Sequence, residues 1–114
     1  MKQVKAIVRP EKLSDIRYAL ETVEGYGGIT ITEVMGQGIQ KGIVRSWRGE
    51  KYEIDLIPKV SIELVVKDEI LDQVTKIILE KAYTGEEGDG KIFISNVEDV
   101  IRIRTKESGE DALY

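Results

Sequence analysis

Val4, Ala6 and Val8 alternate with Gln3, Lys5 and Ile7, a period of two that predicts a first strand. Arg9-Pro10 breaks the alternation. Pro10 suits the first turn of a helix, and Glu11 suits the positive end of its dipole. Leu13, Ile16, Ala19, Leu20 and Val23 then recur at helical spacing, and the glycines from Gly25 to Gly28 predict the stop. Ile29 to Val34, rich in β-branched residues, predicts a second strand, and Val60, Ile62, Leu64 and Val66 a third. Asp68 is a predicted N-cap for a second helix whose apolar stripe is Ile70, Leu71, Val74, Ile77, Ile78 and Ala82. Tyr83-Thr84-Gly85 ends it. Ile92 to Ile94 predicts a strand, Val100 to Arg104 a last short one, and the tail KESGEDALY reads as polar and mobile.

Between Gly36 and Pro58 no period is sustained. The stretch mixes glycines and charges with Trp47 and Tyr52, and a long irregular loop inside a small domain is usually functional. A plain β-ribbon excursion is the simpler alternative. The order of elements predicts an α+β, ferredoxin-like βαββαβ sandwich, two helices on one side of an antiparallel sheet, in a single domain spanning residues 1–114. Ile7, Val65 and Phe93 fall on the strand phase opposite the core stripe. An apolar second face predicts that another subunit covers it.

Composition narrows the function classes. The 114 residues hold 17 Lys+Arg against 21 Asp+Glu, a formal net charge of −4, which argues against a general nucleic-acid binder. Histidine and cysteine are absent, so disulfides, thiolate chemistry, imidazole acid–base catalysis and the common zinc sites are excluded. No apolar run approaches the roughly 18 residues of a membrane span. The opening MKQVKAIVRPEK lacks a signal peptide's apolar stretch, and a cytoplasmic address is the expectation.

Candidate chemistry sits in the last third. Thr84-Gly85-Glu86-Glu87-Gly88-Asp89-Gly90-Lys91 offers glycines that let backbone approach a ligand, successive N–H groups that can form an anion nest, and a lysine suited to phosphate. Arg102 and Arg104, two apart on the expected last strand, would leave the same face, and their planar forks match phosphate oxygens. Salt bridges to the many carboxylates are the alternative use of that pair. Taken together these residues favour a polyphosphate site. Gln40, Lys41 and Lys59 lie at the two roots of the long loop, where a lysine can hold a small carboxylate and a glutamine carbonyl can meet a cation.

These stretches carry a family resemblance. TEVMGQG-x-QKG at Thr32 to Gly42, RGEKY at Arg48 to Tyr52, LIPKVSIELVV at Leu56 to Val66, TGEEGDGKIFI at Thr84 to Ile94 and VIRIRT at Val100 to Thr105 occur in order. In them the chain resembles the PII nitrogen-regulatory signalling proteins of the GlnB/GlnK type, over Met1 to about Thr105, with an archaeal flavour. The resemblance implies a homotrimer with nucleotide sites in the clefts between subunits. It implies a partner-contacting T-loop at about 38–57, a B-loop at about 84–91, and a C-loop and tail at about 97–114. It implies ATP or ADP held by Thr30, Glu63 and Val65 near the adenine, and by Gly38, Gly88, Asp89, Gly90, Lys91, Arg102 and Arg104 around the phosphates and ribose. It further implies Mg²⁺ on Gln40, and 2-oxoglutarate held by Gln40 through that metal, by Lys59 at its distal carboxylate, and by Lys41, Gly42 and Gly88.

Arg48 matches the family arginine that enters ammonium-channel pores, so the resemblance implies an ammonium transporter as partner, and membrane association only through it. Glutamine synthetase or a nitrogenase regulator is the alternative within the family. Three departures stand out. Ser46-Trp47 replaces the usual start of the modification signature around Tyr52, Ile39 stands where an arginine is frequent, and Glu87 stands where an apolar residue is common. A carboxylate at Glu87 is expected to lower affinity for a dianion. Two other classes fit the fold. An RNA-recognition domain needs strand aromatics and a basic surface, and only Phe93 is available. A slow Mg-ATP hydrolysing enzyme needs only bound nucleotide and water, but a switch rather than an enzyme is the expectation.

Overall fold

The computed structural model describes residues 1–37, 43–47, 50–54 and 56–114, with side chains outside 43–47 and 50–54. Strand β1 (Lys2–Val8) leads through a 3₁₀ turn at Pro10–Lys12 into helix α1 (Leu13–Leu20). Strand β2 (Thr30–Gly36), the paired strands β3 (Ile43–Trp47) and β4 (Glu50–Ile54), and the long β5 (Ile57–Val66) follow. A second 3₁₀ turn at Asp68–Ile70 opens helix α2 (Leu71–Ala82), and β6 (Lys91–Asn96) completes the main sheet.

The four-stranded sheet has the order β2-β5-β1-β6, every neighbour antiparallel. With both helices in the β-to-β crossovers, this is the expected ferredoxin-like α+β arrangement. The register sets Val4, Ala6 and Val8 of β1 opposite Leu64, Ile62 and Val60 of β5. These alternate residues form one buried stripe, and Ile16 and Leu20 of α1 with Val74 and Ile78 of α2 close over it. Fully burying such side chains contributes about 1.5–3 kcal/mol each, which makes this layer the main stabilising feature. On the opposite sheet face Phe93 stays half exposed, as its phase predicts.

Several expectations are corrected. Helix α1 ends at Leu20 rather than near Gly25. Thr22 folds back instead, its hydroxyl donating to the Ala19 carbonyl at 2.7 Å, while Val23 still reaches the core from the turn. Asp68 does not cap α2 with its side chain and instead pairs with the N-terminal amine of Met1 at 3.2 Å. Ile43–Trp47 and Glu50–Ile54, inside the stretch read mainly as an irregular loop, pair as an antiparallel ribbon from Ile43–Ile54 to Trp47–Glu50, the element that the alternative reading of this stretch expected.

The predicted strand from Val100 to Arg104 is absent. Among the described residues its alternation has no partner strand to pair with, and Ile101 forms only an isolated bridge to Ser108. The chain there closes a tight turn, with Lys106 N–H donating to the Arg102 carbonyl at 2.8 Å and Arg102 N–H to the Glu107 carbonyl at 2.9 Å. Nor does the tail run free: Gly109–Ala112 forms a 3₁₀ turn, and Leu113 and Tyr114 just beyond it lie against Gly27 and Gly25 after α1.

Candidate functional site

Two cavities sit at opposite ends of β1. The first, of about 450 Å³, lies where β1 ends and β5 and β6 begin, and its walls include Ile7, Lys59, Glu87, Gly88, Lys91 and Phe93. The second, of about 370 Å³, lies at the other end and is bordered by Gln3, Thr30, Glu63, Val65, Val100 and Leu113. β1–β5–β2 pairing explains the second grouping, since Gln3 faces Val65 and Thr30 faces Glu63 across the ladder.

The first cavity is built around the turn from Thr84 to Lys91. Gly90 has a φ of +99°, and a Cβ there would overlap the Ile7 carbonyl oxygen, so only glycine lets the turn enter β6 against β1. The Asp89 carboxylate organises the turn from inside. It accepts from Thr84 N–H at 2.8 Å, from Gly85 N–H at 2.9 Å and from the Thr84 hydroxyl, and it pairs with Arg9 Nε at 3.1 Å. The Thr84 hydroxyl and N–H, with the other donors, hold its pKa far below the usual carboxylate range. Asp89 is therefore committed to the turn, and a ligand beside it would meet its backbone.

Two cations converge beneath this turn. Arg9 donates through Nη2 to the Glu87 carbonyl at 2.6 Å, and the Lys59 ammonium donates to the Gly88 carbonyl. A side chain at Gly88 would press on both, its Cβ falling 3.2 Å from Arg9 and 3.4 Å from Lys59. Partial burial, and then the nearby Arg9 charge, lower the Lys59 pKa. An anion entering the cavity would relieve that repulsion. Lys91, exposed at the start of β6, adds a third positive charge to the rim, whereas Glu86 and Glu87 add two negative ones. The arrangement suits a small anion with several oxygens, such as a phosphate or dicarboxylate.

Lys59, Gly88, Asp89, Gly90 and Lys91 are thus brought together, and Thr30, Glu63 and Val65 form a separate group. Gln3 and Ile7 lie four residue steps apart on β1, on the order of 13 Å at strand rise. Arg102 and Arg104 do not project from one strand face. Arg102 turns back, its Nη1 donating to Glu107 Oε1 at 2.9 Å and its Nη2 to the Asp111 carbonyl at 3.2 Å. Arg104 is exposed in the turn. Gly38, Gln40, Lys41, Gly42 and Arg48 lie outside the described residues, as does the side chain of Tyr52 on β4. Among the described residues no cluster of acidic side chains is arranged to hold a metal ion.

Arg9 was not singled out in the sequence. Its signal is faint, a charge at the end of β1 just before Pro10, and only the β1–β6 register brings it under the glycine turn. The internal role of Asp89 had a better signal, a threonine and an aspartate bracketing a glycine-rich turn.

Among the described residues no helix is long and apolar enough to cross a membrane. The family model described as nitrogen regulatory protein P-II matches residues 1–107. The chain is 55% identical to nitrogen regulatory protein P-II 2 of Methanothermobacter thermautotrophicus over 113 residues, covering 99% of this chain and 97% of that protein. It is 50% identical to nitrogen regulatory protein P-II of Haemophilus influenzae, covering 99% of this chain and all of that one, and 49% identical to its namesake from Porphyra purpurea over the same shares. Five ordered motifs, the β2-β5-β1-β6 sheet and near-complete coverage by these relatives agree: the chain belongs to the nitrogen regulatory protein P-II family.

Proposed function

We propose that this chain senses ATP or ADP together with 2-oxoglutarate, and that it controls partner proteins, an ammonium transporter first among them, through the loop at about 38–57. Membership in a family of trimeric nitrogen regulators supports the signalling role. The observation that carries the ligand reading is the convergence of Arg9 and Lys59 under the Gly88–Lys91 turn, with the Thr30–Glu63–Val65 cavity at the far end of the same strands. A trimer gives these two ends a common use, because one subunit's turn can face another's cavity across a cleft. The phosphates then belong at the glycine turn and the base at Thr30, Glu63 and Val65.

In this reading Mg²⁺ on the phosphates takes Gln40 as a ligand, and 2-oxoglutarate completes its shell while pairing with Lys59. ADP lacks the γ-phosphate and so part of that shell. Each ligand set favours a different arrangement of the loop, and only its difference in affinity between arrangements shifts the population. Calorimetry tests this. With Mg-ATP present the wild type binds 2-oxoglutarate, and Lys59→Ala weakens binding by at least about tenfold, the cost of losing a charge-assisted contact. Equal binding by both would show the pocket to be misassigned. A phosphate-release assay separates switch from enzyme, since steady turnover of ATP would favour the hydrolytic alternative. Capture of an ammonium transporter with ADP but not with ATP plus 2-oxoglutarate, or the reverse, tests the partner.

A further inference from the structure

The segment after Ser108 was expected to be mobile, yet it is seated. Its root is closed by Gly109 N–H, which donates to the Val100 carbonyl at 3.0 Å and to Asp99 Oδ1 at 2.9 Å. Arg102 pins the same stretch through Glu107 and the Asp111 carbonyl. Beyond the root, Leu113 N–H donates to the Glu110 carbonyl at 3.1 Å, and the backbone of Leu113 lies so close to Gly27 that a Cβ on Gly27 would overlap the Leu113 carbonyl oxygen. The Tyr114 hydroxyl lies 3.3 Å from where a Gly25 Cβ would be, and the Lys67 ammonium lies 5.4 Å from the Tyr114 ring centroid and 3.9 Å from Glu110. Ala112 and Leu113 form a wall of the cavity that Thr30, Glu63 and Val65 also line.

We infer that residues 109–114 are a strap over this cavity, that Gly27 is the residue that admits it, and that a nucleoside in the cavity holds the strap down. The inference rests on the nucleotide reading above, and it deepens that reading by making the tail a determinant of affinity for the base end of the ligand. Two physical points carry it. Gly27 has an ordinary negative φ, so its lack of a side chain is required by the approach of Leu113 and not by local backbone geometry. The strap's own anchors are a few exposed contacts, of the kind that open locally at low cost. A ligand touching Ala112 and Leu113 would add to those contacts, and by linkage the docked strap would tighten the ligand.

The test uses the full chain, with adenosine, ATP and inorganic tripolyphosphate as probes in calorimetry. Hydrogen exchange is followed at the amides of residues 110–113. Gly27→Ala should lift the strap without disturbing the core, and Leu113→Gly should remove a wall while leaving Gly27 in place. Both are expected to weaken adenosine and ATP by roughly tenfold, the effect of leaving about 50 Å² of ligand surface in water. Tripolyphosphate, which needs only the glycine turn, should bind both variants within about twofold of wild type. In the wild type, adenosine should slow exchange at Leu113. If wild type binds ATP but both variants bind adenosine equally well and adenosine leaves exchange at Leu113 unchanged, the strap is overturned alone. If wild type binds neither adenosine nor ATP, the nucleotide reading falls and the strap with it.

Discussion

The turn from Thr84 to Lys91 and the segment from Val100 to Tyr114 are built from similar residues: glycines, carboxylates and basic side chains. They are held differently. The turn is tied into the sheet. Asp89 collects two backbone N–H groups, a hydroxyl and the Arg9 guanidinium, and Gly90 lies against the Ile7 carbonyl. The later segment folds mainly on itself, through Arg102 and Glu107, and touches the rest of the molecule near Gly25, Gly27 and Lys67. Ile101 and Ile103 project into water, Ile103 at 94% exposure. One region is fixed by many contacts to the sheet, whereas the other is held by few. The sensing role proposed above would use both kinds, because a site that is rigid throughout has no second state to report.

The largest expected effect comes from breaking the rigid side. Gly90→Ala forces a side chain onto a backbone at φ +99° and into the Ile7 carbonyl. The strain and the displaced β6 entry should cost about 3 kcal/mol, roughly 12 °C in Tm. Thermal unfolding checks this. A variant melting within a few degrees of wild type would show that the turn is looser than its contacts suggest.

Next in size is the charge at the centre of the turn. The native pKa of Asp89 is depressed, so its contribution to stability is fully present above the unfolded value of about 3.9 and is lost as pH falls below that through the native value. Wild type should therefore melt above Asp89→Asn at pH 6, and the gap should shrink as pH drops below about 4. A gap that stays constant with pH would mean that hydrogen-bond geometry, which asparagine partly preserves, matters more than charge. Lys59 behaves in the opposite sense at the other end of the scale. Its pKa is lowered, so binding of a dicarboxylate should weaken as pH rises and the ammonium loses its proton earlier than an ordinary lysine would.

The same contrast explains what was legible in the residues. Val4, Ala6 and Val8 against Val60, Ile62 and Leu64 repeat a strict period because one face must be dry, so strands and core could be read directly. The glycine turn was legible because Gly88, Gly90 and Lys91 are local in sequence. Val100 to Arg104 has the same alternation as a strand, but pairing depends on a partner that no local pattern reveals, and here the nearest partner is Ser108. The tail misled through composition: its polar residues read as mobile, while its seat is provided by Gly25 and Gly27 far away in the chain. Arg9 was missed for the same reason, since its meeting with Asp89 spans 80 positions.

The smallest expected effect tests the pliant side. Arg102 and Glu107 form a well-aligned pair at 2.9 Å, but Glu107 is 47% exposed and solvent screens such pairs to about 0–1 kcal/mol. Glu107→Gln keeps the shape and removes the charge, so it should lower Tm by no more than about 4 °C. The more telling readout is local. Amides of residues 109–113 should exchange faster in Glu107→Gln, because the contact that Arg102 makes with residue 107 then loses its charge, while the amides of Thr84 and Gly85, bound to Asp89, should exchange as in wild type. Acceleration in both regions would join the two into one cooperative unit and remove the distinction between a rigid turn and a responsive tail. Acceleration confined to the tail would show that the segment opens independently, as a ligand-linked strap requires.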